Sequence, residues 1–539
     1  MKETKIITAA LPYVNNIPHL GNLLGSHLPA DVYARYCRLN GDNVIFVGGT
    51  DENGAATEFT AYKEGITPKE LCDKYYKIHK DLYAKFNISY DNFSRTSKDI
   101  HHKLVQEFFL NLYTNGFITS KTIKQPFCEN CKRGLADRFI KGTCPHCGYE
   151  EANGDQCEQC GSVLNPIDLI NPYCAMCGSK NIIFKDSSHL FLNLKSVVKD
   201  IENWIDTNPN LRSQVKSLAK GWIKQGIEER CITRDLNWGV RVPLSEYNEK
   251  VFYVWFDNVI GYISSTADLL GEEKAIELWK DKSVKNYYFV GKDNIPFHTI
   301  FWPGQIIGEG RFHLPENVCG YQYLNFEGQK FSKSKSVGIF LDEVVASNIP
   351  IDYWRFYLTY ILTETKDADF VINDFIDRIN KELIDNFGNY VNRVLNFIYV
   401  KLNGKVPEIK QKDVDLEKQI SECVERINGF YSKIELRYAL YDALKLSDLG
   451  NKYLNEKEPW KTGDYSSLAY GYEIIRLVTL FLSPIIPSSC EKIFDFLNTD
   501  NKKLAFDLRS IKDKKINKPE ILFTKLEEKD FDFFLKSKK

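Results

Sequence analysis

The segment KIITAALPYVNNIPHLGN (residues 5–22) places a short apolar run ahead of two asparagines and a proline, then opens a helical pattern on His-Leu-Gly-Asn. KIITAA reads as a buried strand, residues from about Leu20 to Leu39 as a helix, and NVIFVGG (43–49) as a second strand. Together they make a βαβ unit, and hence the start of a right-handed parallel sheet. In such sheets ligands bind beyond the carboxyl ends of the strands, where helix N-termini turn free N–H groups and a positive dipole toward phosphates. PHLGN falls at that crossing. Gly21 lets the backbone approach a base or phosphate closely, while His19 and Asn22 offer neutral or switchable donors. Ordinary helix capping would use the same residues, so the segment needs a partner elsewhere.

With 539 residues, 43% hydrophobic and 27% charged, the chain can fill two to four domain cores. Lys+Arg 71 against Asp+Glu 72 excludes bulk attraction to a polyanion, so any nucleic-acid contact must come from local basic patches. The first residues faintly resemble a secretion signal, but Pro12 interrupts the apolar run and the segment reads as a strand. No run of about 18 apolar residues is present, so no membrane span is expected.

Eight of the 14 cysteines form four CxxC pairs: Cys128/Cys131, Cys144/Cys147, Cys157/Cys160 and Cys174/Cys177, with gaps of 12, 9 and 13 residues. Two residues between thiolates let both sulfurs reach one zinc ion at about 2.3 Å, so eight thiolates make two closed, structural Zn²⁺ sites. The alternative, a disulfide framework, requires an oxidising compartment. Spacing alone leaves open which pairs share an ion.

Further apolar strands are expected in KVFYVWFD (250–257) and NYYFVGKD (286–293), so the cysteine block splits a nucleotide-binding sheet. Beyond about residue 370 the pattern turns helical, with Phe375, Ile379, Leu383, Phe387, Tyr390, Val394 and Ile398 at intervals of three or four. A helical bundle follows, ending in a lysine-rich tail. The polar loop GQKFSKSKSVG (328–338) alternates lysine and serine after a glycine. It reads either as a solvated loop or as a clamp whose lysines stabilise charge on a departing polyphosphate.

At these residues the chain resembles class I aminoacyl-tRNA synthetases. PHLGN and KFSKS are similar to the HIGH and KMSKS motifs. ALPYVNN, GTDENG, YVWFDNVIGYI and GKDNIPFHTIFWP narrow the resemblance to the methionyl-tRNA synthetase family, from residue 3 to about residue 465. Three positions depart from the family pattern. Asn22 replaces the last His of HIGH, Phe331 replaces the Met of KMSKS, and Asn258 stands where a small alanine is usual.

The resemblance implies a Rossmann-like α/β sheet split by a zinc-knuckle insertion and followed by an all-α anticodon-binding helical bundle. It divides the chain into 1–116 and 237–325 (catalytic halves), 117–236 (insertion), 326–372 (stem-contact region with the KMSKS-like loop) and 373–539 (bundle). It implies a ligase that joins L-methionine to tRNA(Met) through methionyl-adenylate, using ATP with Mg²⁺, in protein synthesis and its initiation. His19, Asn22 and Lys333 would be catalytic. ATP would be bound by His19, Gly21, Asn22, Lys330 and Lys333, with Asp293 holding the ribose. Asp51 would pair with the substrate ammonium, its other available role being to cap a helix near TDENG. Leu11, Tyr13, Trp255, Tyr262, His298 and Trp302 would complete the methionine pocket, since a thioether offers only shape and aromatic contact to recognise. By resemblance, Cys144, Cys147, Cys157 and Cys160 share one zinc, and Cys128, Cys131, Cys174 and Cys177 the other. Asn389, Arg393 and Trp460 would read the anticodon by hydrogen bonding and stacking. The expected protein is a cytoplasmic monomer with no membrane association.

Two other readings require features of their own. A cysteinyl or isoleucyl-type synthetase would place thiolates in the amino-acid pocket or carry a long editing domain, and neither feature fits. A catalytically idle tRNA-binding zinc protein would not need His19, Asp51 and Lys333.

Overall fold

The computed structural model describes residues 2–162, 164–331, 337–511, 514–532 and 534. Lys333 and the rest of SKSKS (332–336), and most of the lysine-rich tail, lie outside the described residues.

Five parallel strands form the central sheet: β1 (Thr4–Ala9), β2 (Asn43–Thr50), β3 (Asn92–Arg95), β4 (Lys285–Gly291) and β5 (Asn317–Tyr321), in the order β5-β4-β1-β2-β3. The order reverses beside β1, between β1 and β4, which is where an open sheet of this kind leaves a crevice. Ile6, Ile7, Thr8 and Ala9 of β1 are fully buried, as the continuous apolar run requires of a strand covered on both faces. The helix after β1 runs through Leu20–Asn22, Leu23–His27 and Leu28–Leu39, with one wide turn in which Leu28 N–H bonds the Leu23 carbonyl. Pro29 follows at once and has no N–H for the regular pattern.

The expected strand at 250–257 is a correction. Only Val251–Phe252 is extended, pairing with Thr233–Arg234 outside the central sheet, and Val254–Asp257 is helical. An apolar run with no periodicity suits a buried helix turn as well as a strand. The sheet is instead completed by β3 and β5, short strands that the apolar pattern did not reveal.

In the insertion, Ile118–Cys128 pairs antiparallel with Ile182–Leu192 along its whole length, from Ile118 opposite Leu192 to Cys128 opposite Ile182. That ribbon carries the cysteine loops at its tip. Arg133 bonds Glu58 at 2.9 Å and ties the loops back to the helix Ala55–Glu64 that follows β2.

The helical region follows its sequence period. Ile372–Arg378, Ile379–Gly388 and Asn389–Lys401 run end to end, and all seven apolar positions named above are buried. Gly388, an unfavourable residue inside a helix, is explained by packing: an added Cβ would stand 2.7 Å from the Phe523 ring. Arg355 joins this region to the sheet. Its buried guanidinium bonds Asp31 at 2.7 Å and the carbonyls of Phe86, Pro484 and Ile485. Burial alone would raise the Asp31 pKa, but Arg355, Arg35 and Ser89 together hold it below the usual carboxylate range.

Candidate active site

A cleft of about 650 Å³ opens just past the ends of β1 and β4. Ala10 to Tyr13 line it from β1, Gly291 to Asn294 from β4, and His19, Gly21, Asn22, Lys330 and Phe331 from the helix start and the downstream loop. His19 caps the helix. Its Nδ1 accepts the Asn22 backbone N–H at 3.3 Å, and Asn22 Oδ1 accepts the His19 N–H at 3.1 Å. Burial pushes the imidazole pKa down to about 4, so the ring is neutral near pH 7. With Nδ1 accepting, its proton sits on Nε2, which makes His19 a neutral donor at a helix N-terminus. The ring stacks on Phe331 at 4.6 Å and folds back over Gly21, where an added Cβ would lie 2.9 Å from ring atoms. Phe331 thus holds the His19 ring, while the Asn22 side chain holds the His19 backbone and its main-chain N–H the ring nitrogen.

Asp293 is exposed at the cleft mouth and accepts the Tyr323 hydroxyl. Lys292 and Lys330 lie over the Tyr323 ring at 5.2 and 6.0 Å. Neither Tyr323 nor Lys292 was singled out from the sequence, since CGYQYLNF carries no motif and Lys292 passes as a solvated lysine. A second cleft of about 710 Å³ shares Tyr13, Trp255, Lys292, Asp293, Asn294, Tyr323 and Lys330 with the first, and extends to the loop around Cys157–Gly161.

The expected methionine residues fall into two sets. Leu11, Tyr13 and Trp255 line the cleft, with Tyr13 edge-on to Trp255 at 6.5 Å and Trp255 stacked on Phe297 at 3.8 Å. Asp51, Tyr262, His298 and Trp302 are buried and line neither cleft. The Tyr262 hydroxyl bonds His298 Nε2 at 2.7 Å, and His298 Nδ1–H donates to the Asn294 carbonyl at 2.8 Å. Burial lowers the His298 pKa to about 4 and keeps it neutral. Trp302 donates to the Tyr288 hydroxyl at 3.0 Å. Asp51 caps no helix, because Gly54 precedes Ala55–Glu64 without a side-chain cap. Its Oδ2 accepts Asn258 Nδ2 at 2.7 Å, and its pKa is pushed well up by burial and then by Asp257.

Residues 5–395 match the family model described as tRNA synthetases class I (M). The chain belongs to the methionyl-tRNA synthetase family. Residues 405–537 match the anticodon binding domain of methionyl tRNA ligase. The probable cytoplasmic methionine-tRNA ligase of Dictyostelium discoideum is 43% identical over 525 residues, which are 94% of this chain and 71% of that protein. The methionine-tRNA ligase of Pyrococcus abyssi is 41% identical over 558 residues, covering 98% and 77% respectively. In fold, the chain is similar to Mycobacterium tuberculosis methionyl-tRNA synthetase bound by methionyl-adenylate, with TM-score 0.78 and 20% identity over 97% of this chain and 100% of that one.

The family context meets two further clusters. Cys128, Cys131, Cys174 and Cys177 form one, and Cys144, Cys147, Cys157 and Cys160 the other, with the sulfurs of each within 4.8 Å of one another. Sulfur pairs stand at 3.7 and 3.8 Å in the first and 3.9 and 3.6 Å in the second. Four thiolates about 2.3 Å from one zinc would be about 3.8 Å apart, so both donor sets fit the ion. In the helical region, Arg393 places its guanidinium 5.5 Å from the Trp460 ring and donates to Asn455 at 2.7 Å. Asn389 is exposed one turn earlier and bonds Asp385 at 3.3 Å. Trp460 is 45% exposed.

Proposed function

We propose that the chain activates L-methionine with ATP to methionyl-adenylate, releasing pyrophosphate, and transfers the methionyl group to the 3′ end of tRNA(Met). The amino acid's own carboxylate attacks the α-phosphate, so the protein's contribution is positioning and charge stabilisation. His19 donates from Nε2 to a phosphate oxygen, and the helix N-terminus behind it adds its dipole. Asn22 fixes that imidazole, while Lys330 and Lys333 supply positive charge to the leaving pyrophosphate. Asp293, held by the Tyr323 hydroxyl, takes the ribose. Asp51 pairs with the substrate ammonium; Leu11, Tyr13 and Trp255 meet the thioether from the cleft wall, and the buried Tyr262, His298 and Trp302 complete the pocket without lining the cleft. Mg²⁺ bound with ATP would neutralise phosphate charge.

Zn²⁺ in each four-cysteine cluster would fix the knuckle fold. Asn389, Arg393 and Trp460 would meet the anticodon, the indole by stacking. The division at residues 116, 236, 325 and 372 follows the same reading, as does a cytoplasmic monomer. Among the described residues no helix is long and apolar enough to cross a membrane.

The observation that carries the reading is the neutral His19 cap at the crevice where the sheet order reverses, in a chain whose residues 5–395 match the family. ATP–pyrophosphate exchange with each standard amino acid tests it. Methionine should support exchange far better than any other. Because apolar pockets discriminate by only about 1–3 kcal/mol per methylene, norleucine and homocysteine should be partial substrates. Preference for cysteine or isoleucine, or exchange with none, would overturn the proposal.

A further inference from the structure

Asn258 follows the short helix Val254–Asp257 and is 2% exposed. Its side chain crosses to the end of β2, where Nδ2 donates to Asp51 Oδ2 at 2.7 Å. Asp51 Oδ1 is buried with no hydrogen-bond partner. A buried carboxylate oxygen left unpaired costs free energy until something meets it, so this one is a standing acceptor for a cation or a donor. Asp257, the neighbour of Asn258, is fully buried, and its Oδ2 already accepts Asn53 Nδ2 at 2.5 Å and faces His101 Nε2 at 3.3 Å. Each carboxylate thus has one oxygen held and one, Oδ1, without a partner; the two are held by different residues, and Asn258 is the side-chain donor given to Asp51, the one at the end of β2. Asp51 is also fixed through its backbone: its N–H donates to the Pro12 carbonyl at 2.8 Å, and its carbonyl accepts Val14 N–H at 3.3 Å. With the main chain pinned, the Asn258 amide fixes one oxygen of the carboxylate, and the Asn53 backbone N–H adds a second, main-chain contribution to its charged form.

We propose that Asn258 is a positioning residue for substrate. It holds one Asp51 oxygen so that the other meets the methionine ammonium. The inference rests on the reading of Asp51 as the ammonium's partner.

The test uses two ligands that split methionine's charged groups: methioninol, which keeps the ammonium and lacks the carboxylate, and desamino methionine, which does the reverse. Both are measured as competitive inhibitors of methionine-dependent pyrophosphate exchange on the full chain. Asn258→Ala should weaken methioninol about tenfold and raise KM for methionine similarly, while desamino methionine binding and KM for ATP stay within about twofold. Asn258→Leu keeps the branched shape, leaves no cavity and loses the donor, so it should weaken methioninol to at least the same degree. That variant guards against a cavity effect, and melting temperatures of both are recorded. Equal weakening of the two ligands by Asn258→Ala, or methioninol binding unchanged in Asn258→Leu, would overturn the proposal. Asp51→Asn separates the two levels. If it too leaves methioninol binding unchanged, the ammonium assignment itself is wrong; if it weakens methioninol while the Asn258 variants do not, only the role of Asn258 falls.

Discussion

Gly21 has no room for a side chain. A Cβ there would stand 2.9 Å from Cε1 and Nδ1 of His19, so Gly21→Ala must turn the imidazole off its cap. Misplacing a catalytic donor by about an ångström can cost about 100-fold, so adenylate formation should fall by that order with methionine affinity nearly unchanged. Pyrophosphate exchange alongside a fluorescence titration with methionine measures both, and unaltered exchange would show that the ring position does not matter. PHLGN was legible as a phosphate-facing helix start, because the pattern is local. The fold-back of the ring over Gly21 was not, since it depends on Phe331 arriving from far down the chain. Asn258 was visible only as a departure from the family, because its partner Asp51 is remote in sequence.

His298 is buried and neutral, with a pKa near 4 against 6.5 for a free imidazole. Between those values the unfolded chain binds a proton that the folded chain refuses, so the stability held above pH 6.5 is lost as pH falls toward 4. His298→Gln removes this site. The stability gap between wild type and variant should shrink by about 2 kcal/mol from pH 6.5 to pH 5. Chemical denaturation at the two pH values reads it, and a constant gap would mean that the imidazole titrates normally in the fold.

At the scale of elements, the long hairpin decides how the cysteines pair. Cys128 lies opposite Ile182 in the antiparallel register, which carries the first knuckle to the last and leaves the middle two to each other. Spacing cannot show this, because a hairpin's register is a matter of pairing between distant segments. The strands β3 and β5 were hidden for a related reason: four and five residues are too few to display a period. The helical region was the most legible part, because its period runs unbroken for many turns. The clusters carry a prediction. Protein purified without chelators should contain two zinc ions per chain. Stripping them should melt the insertion, since structural zinc sites contribute about 10–16 kcal/mol in isolated finger peptides. Metal analysis with limited proteolysis checks both; fewer than two ions, or an unchanged digestion pattern after complete removal, contradicts the assignment.

Across the whole molecule, amino-acid chemistry and tRNA reading fall to different parts of one chain. Arg355, from the segment between them, is fully buried and bonds both Asp31 and the carbonyls of Pro484 and Ile485, so the two parts do not separate without uncovering an ion pair. Trp460 tests the division most directly. At 45% exposure it plugs no interface, and its removal leaves no interior cavity, so Trp460→Ala should barely move the melting temperature. Stacking of a base on an aromatic ring is worth about 1–3 kcal/mol, which translates to a loss of roughly 5- to 150-fold in charging efficiency. The decisive measurement is kcat/KM for tRNA(Met) aminoacylation beside methionine-dependent pyrophosphate exchange without tRNA, both on Trp460→Ala. Charging reduced by tens of fold with exchange at the wild-type rate is the result expected here; equal loss of both reactions, or charging at the wild-type rate, would contradict it.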